Sequence, residues 1–166
     1  MDYKASLDTP AKVITIVTFV LLLAVGQESV RILITAGVNT TTILIHSGIL
    51  LTFIVLLLGS WLYAPKSYTL SDSYLLINRR IGKVNIRLSD IKQVRVLTDD
   101  ETKKTIRTFG VGGLFGYFGK YHTPGIGHLT FYATQRKNKV LILTNSDKKI
   151  VITPDDIDLA EKLKQQ

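Results

Sequence analysis

From Ile43 to Ala64 the chain reads ILIHSGILLTFIVLLLGSWLYA, with no Lys, Arg, Asp or Glu. That is about the ~20 residues a helix needs to cross a bilayer. Trp61 and Tyr63 stand at its end, where amphipathic rings favour the headgroup level, and Pro65-Lys66 close the span. A chain carrying such a segment is expected to divide into a membrane anchor and something else. The expected boundary is residue 65, with an anchor over 1–65 and a second domain over 66–166.

An earlier apolar run, Val13–Gly26, is shorter. It spans a bilayer as a helix over about 11–29 if Lys12 snorkels and Gln27–Ser29 lie at the interface. The competing reading is a cleaved signal peptide with Ala24-Val25-Gly26 as the small-residue site. The leader has no net positive charge, which favours a retained helix. The helices about 11–29 and 43–64 then form a transmembrane hairpin joined by a short link. His46 is an ionisable group inside the second span, where a functional role is the default hypothesis, although it lies near one end.

Charge is distributed as unevenly as hydropathy. Residues from Lys66 onward carry eighteen Lys and Arg against ten Asp and Glu, whereas the first 65 residues balance. The positive-inside rule therefore directs the second domain to the cytoplasm, as part of a multi-pass protein of the bacterial inner membrane. The absence of cysteine excludes disulfides, thiol catalysis and Cys-ligated zinc.

The second domain reads as strands. Segments 67–71, 74–80, 84–88, 91–97, 128–134, 140–144 and 150–153 are β-rich or alternate apolar and polar residues between turn signals. Leu129, Phe131 and Ala133 share one face. Thr98–Lys104 reads as loop or edge. Thr153 followed by Pro154, Asp155 and Asp156 reads as the capped start of a terminal helix.

Between these segments lies RTFGVGGLFGYFGKY, Arg107–Tyr121, in which Gly110, Gly113, Gly116 and Gly119 recur every third residue. This density of glycine suggests a shaped loop rather than a strand. It is neither a P-loop nor a dinucleotide fingerprint: Gly119-Lys120 is followed by Tyr121, and no helix follows the run. Two uses remain for its rings. Phe109, Phe115 and Phe118 fold back onto the core, or Phe115, Tyr117 and Phe118 face the membrane interface or a partner. The usual burial of large rings favours the first.

Arg107-Thr-Phe-Gly110, Gly113-Leu-Phe-Gly-Tyr-Phe-Gly119, Tyr132-Ala-Thr134, Val140-Leu-Ile and Ile152-Thr-Pro-Asp155 together resemble the membrane-anchored bacterial pleckstrin-homology-like (PH) domains. The resemblance covers about Ser67–Lys164. It implies a PH-like fold of roughly seven antiparallel strands in two packed sheets, closed by a C-terminal helix. It supplies no catalytic residues.

No Ser/His/Asp constellation, cofactor motif or metal-ligand spacing stands out. His122 and His128 read as a chance pair in a Gly/Pro stretch. Arg79, Arg80 and Lys83 crowd one turn and are the candidate contacts for anionic lipid, each worth on the order of 1 kcal/mol near a charged leaflet. Arg136, Lys137 and Lys139 crowd another. The first hairpin carries Ser71-Asp72-Ser73 where inositide-binding PH domains carry basic residues, so generic attraction is expected rather than inositide recognition. Nucleic acid is not an expected partner, because the basic residues are scattered and lack a stacking platform. Two function classes stay open. One is a non-enzymatic membrane-anchored module that binds protein, anionic lipid or a second copy. The other is a small integral-membrane factor whose helices bind a partner or solute.

Overall fold

The computed structural model describes residues 1–35 and 37–165. A short strand β1 (Asp2–Lys4) precedes two long helices, α1 (Thr9–Leu33) and α2 (Thr40–Tyr63). Asp8 caps α1 by accepting from the Ala11 amide, with Pro10 in the first turn, and Asn39 caps α2 by accepting from Thr42. Both helices are long and apolar enough to cross a membrane, and almost none of the residues in their most apolar stretches is fully buried by the rest of the chain. The first extends beyond the expected 11–29 at both ends, since the Asp8 cap starts it at Thr9 and Val30–Leu33 continue it, and the second starts at Thr40, directly after its Asn39 cap, and ends at Tyr63. A Ser29–His46 hydrogen bond (3.2 Å) joins the helices near the link, with Ser29 buried.

Beyond α2 come β2 (Pro65–Leu70), β3 (Tyr74–Arg79), β4 (Lys83–Arg87), β5 (Ile91–Val96), a four-residue helix α3 (Asp99–Thr102), β6 (Ile106–Gly113), β7 (Gly116–Thr123), β8 (Gly127–Ala133), β9 (Val140–Thr144), β10 (Lys149–Ile152) and α4 (Asp158–Lys164). The first sheet has the order β1-β2-β3-β4 and the second β5-β9-β10-β8-β7-β6. All neighbours are antiparallel except β8 and β10, which are parallel. The core between the sheets gathers Tyr68, Leu75, Ile77, Ile142 and Ile152, with Leu159, Ala160 and Leu163 of α4 against it. The opposite face of the second sheet holds Tyr121, Leu129, Phe131 and Ala133, with Leu97 in the same cluster.

All seven strands read from the sequence are present, and three more join them. Asp2–Lys4, grouped in the sequence reading with the anchor, pairs with Ser67–Thr69 as an edge strand. The other two come from the Gly/aromatic run, which is a β-hairpin and not a loop. Its glycines face one another: Gly110 opposes Gly119, and Gly113 opposes Gly116, mirrored about Leu114-Phe115. A Cβ on Gly119 would sit 2.4 Å from the Phe109 carbonyl oxygen, and both members of the outer pair have φ above +100°. The period of three is thus the signature of close backbone approach on both sides of a tight turn.

Two further expectations are corrected. Thr98–Lys104 contains α3, where Thr98 and Glu101 form a reciprocal capping box. The terminal helix begins at Asp158, not Pro154. Thr153 does not cap it, because its hydroxyl accepts from the Thr134 amide instead. Asp155 accepts from the Ser6 amide (2.8 Å) and donates its own amide to the Lys4 carbonyl. The Pro-Asp corner therefore holds the N-terminal segment rather than starting a helix.

Candidate functional site at the helix–sheet junction

Three contacts fix the β-rich domain against the ends of α1 and α2. The first centres on Asp8. Besides capping α1, its carboxylate accepts from the Tyr117 hydroxyl (3.2 Å) and the Arg136 amide (3.0 Å), and lies 3.6 Å from the Arg136 guanidinium. Asp8 also donates its amide to the Thr134 carbonyl. Arg136 in turn lies 5.8 Å from the Tyr117 ring centre. Burial, and then the neighbouring Asp8 charge, raise the Tyr117 hydroxyl above its ordinary pKa. Tyr117 is therefore a neutral donor in the physiological range.

The second contact is the tip of the β6–β7 hairpin. The Phe115 amide donates to the Thr15 hydroxyl (3.0 Å), and its ring meets Phe19 edge-on at 6.3 Å. Phe115 adopts a left-handed φ of 57°, which an L-residue holds only where its surroundings fix it. Gly113 lies so close to Ile14 that an added Cβ would stand 2.5 Å from the Ile14 side chain. The three aromatic candidates thus separate. Phe118 is buried in the domain and Tyr117 belongs to the Asp8 hub. Phe115 packs against α1. Phe109, read as a core ring, is instead 76% exposed, because β6 is an edge strand.

The third contact joins the β3–β4 turn to the end of α2. The Arg80 guanidinium lies over the Trp61 ring at 4.6 Å and donates to the Trp61 carbonyl, and the Ile81 amide donates to the Leu62 carbonyl. Arg79 lies 5.3 Å from the Tyr63 ring centre. Lys83 is exposed at the start of β4. Two of the three basic candidates, Arg79 and Arg80, therefore flank the aromatic end of α2, an arrangement suited to a charged aqueous boundary beside an apolar one, while Lys83 pairs in register with Asn78.

His122 and His128, read as a chance pair, stand opposite each other across β7 and β8 with ring centres 4.9 Å apart. No group of three or more potential ligands gathers around a metal position among the described residues. The Asp8 hub and the hairpin's seat on α1 lay beyond sequence reasoning. Their partners are about a hundred residues apart, and only the capping signal of Asp8-Thr-Pro was local.

Two sheets packed about one core, closed by a terminal helix and preceded by two apolar helices, define a helix-tethered domain of PH-like type. The chain belongs to the family described as Bacterial PH domain, whose model matches residues 66–166. No curated protein and no solved structure matches it.

Proposed function

We propose that this chain is a non-enzymatic interaction module, anchored by two transmembrane helices and held against the inner leaflet of a bacterial cell membrane. Its domains on this reading are an anchor within residues 1–65 and a cytoplasmic PH-like domain over 66–166, completed by the strand Asp2–Lys4. The observation that carries the reading is the convergence of Arg79, Arg80, Trp61 and Tyr63 at the end of α2. Aromatic rings favour the headgroup level, and cations beside them meet anionic lipid phosphates. Lys83 adds a further positive charge. Phe115, seated against Thr15 and Phe19 of the first helix, adds an aromatic ring at the junction of domain and anchor.

Family membership supports a binding role rather than catalysis. The firm attachment of the domain to both helices supports an assembly function, in which a partner protein or a second copy recognises the domain at a fixed height above the membrane. The pairing of Asp2–Lys4 with β2 supports retention of the first helix, because cleavage after Gly26 would remove that strand together with the Asp8 hub. The alternative, in which the helices are the working part, has support from an apolar groove of about 670 Å³ between α1 and α2. His46, bonded to Ser29, joins the two helices outside the lining of that groove. A C-terminal fusion to a reporter active only in the cytoplasm tests the placement. Activity is expected, and activity of an export-dependent reporter in its stead would overturn it.

A further inference from the structure

A concavity of about 550 Å³ lies beside the Asp8 hub, on the face of the second sheet turned away from the main core. Its floor is aromatic: Tyr117, Tyr121 and Phe131, the last two stacked with ring centres 4.3 Å apart. Its rim carries Lys103, Arg136, Lys137 and Lys139, against one carboxylate, Asp99. Asp99 is occupied by Lys139, whose amine lies 2.7 Å away, and this bond holds the Asp99 pKa below the usual carboxylate range. Arg136 is half committed to Asp8 at 3.6 Å. Lys103 and Lys137 are exposed and have no ion-pair partner among the described residues.

We infer that this concavity is a binding site for a phosphate monoester. Once the Asp99 and Asp8 carboxylates are counted against the four cations, an excess of two positive charges remains beside an aromatic floor, which favours a compact dianion over a single charge. The monoester's oxygens accept several charge-assisted hydrogen bonds at once, from the Arg136 fork and the lysine amines. The floor offers rings for whatever the phosphate is attached to. The rival basic hollow is less suited: Lys120 and Lys149 on its lining already donate to Thr130 and to the Ile126 carbonyl, and Asp90 and Asp147 offset its remaining Lys148.

Position narrows the source of the phosphate to two. Tyr117 and Arg136 touch the residue that caps α1, so one end of the concavity opens at the level where that helix begins. A lipid with a terminal phosphate could reach it from the leaflet, an expectation that rests on the membrane placement proposed above. A soluble phosphate monoester could enter from the other end, which does not depend on that placement.

The test uses the full chain in lipid nanodiscs, read by backbone hydrogen exchange over residues 99–105 and 135–139. Three conditions are compared: phosphatidylcholine discs titrated with inorganic phosphate, discs containing phosphatidic acid, and discs of matched charge containing phosphatidylglycerol, a diester. Slower exchange with phosphatidic acid than with phosphatidylglycerol supports the site with a lipid source. Slower exchange on adding inorganic phosphate to phosphatidylcholine discs supports it with a soluble one, even if the topology reporter fails. In either case Lys103→Gln with Lys137→Gln, both exposed and structurally free, is expected to weaken the effect on the order of tenfold. Lys92→Gln, exposed and outside the concavity, is expected to leave it in place. Unchanged exchange in all three conditions, or an effect equal for the two anionic lipids and indifferent to the lysine changes, would overturn the inference.

Discussion

The Tyr117 hydroxyl donates a hydrogen bond to Asp8 across 109 residues of chain, and Asp8 is the residue that caps the first apolar helix. One carboxylate thus ends a helix and fastens a sheet. Its loss is expected to cost more than an ordinary cap, which is worth about 1 kcal/mol, because Arg136 and Tyr117 lose an acceptor with it. Asp8→Ala should lower the midpoint of thermal unfolding of the full chain in detergent more than Tyr117→Phe does. In a double-mutant cycle the two changes should couple by at least about 0.5 kcal/mol. Strict additivity would show that the bond contributes nothing.

The glycine pair Gly110 and Gly119 leaves no room for a side chain. Gly119→Ala would drive a methyl group into the Phe109 carbonyl and is expected to destabilise the domain by about 2 kcal/mol or more. Gly125→Ala meets open space and pays only for its left-handed backbone, on the order of 1 kcal/mol. Chemical denaturation of the two variants checks the order, and equal losses would refute close approach as the reason for the glycines.

Phe115 and Phe118, three residues apart in one hairpin, are expected to behave differently. Phe118 is 8% exposed, and Phe118→Ser should cost about 3 kcal/mol of domain stability. Phe115→Ser should leave the unfolding of the sheets largely unchanged while speeding hydrogen exchange at the hairpin tip and the first turns of α1. A large stability loss from Phe115→Ser would place that ring in the domain core.

Glu101 supplies a pH signature. Its hydrogen bond to Arg95, helped by the Thr98 amide, lowers its pKa to about 2 from an ordinary 4.5. A depressed carboxylate contributes stability that is complete above its unfolded pKa and is lost as pH falls through the folded value. The stability difference between the native chain and Glu101→Gln should therefore be constant above about pH 4.5 and shrink between there and about pH 2. A difference independent of pH over that interval would show that the Arg95 pair is not formed.

Much of this architecture is legible in the residues themselves. The charge-free run Ile43–Ala64 announces its helix, and the alternation of Leu129, Phe131 and Ala133 announces a strand with one buried face. The β6–β7 hairpin escapes the same reading because paired glycines remove the alternation on which strands are recognised, and its mirror symmetry about Leu114-Phe115 is apparent only once the strands are paired. Thr153–Asp155 carries a sound helix-start signal, yet Thr134, Ser6 and Lys4 claim its hydrogen-bonding groups first. The basic turn at Arg79 and Arg80 is visible as a cluster. Its seat on Trp61 and Tyr63 is not, since chain reversal by β2 and β3 creates it.

The central proposal, a domain held at the membrane surface against the ends of its two helices, is open to a direct measurement because the chain contains no cysteine and any introduced one is unique. A spin label at Leu114→Cys, beside Phe115, and another at Asp72→Cys, on the turn at the far end of β3, can be compared in anionic liposomes by accessibility to oxygen and to a water-soluble relaxant. The label at 114 is expected to favour oxygen, as a site within the bilayer interface does, and the label at 72 to favour the aqueous reagent. Full exposure of both labels to the aqueous reagent would contradict the account.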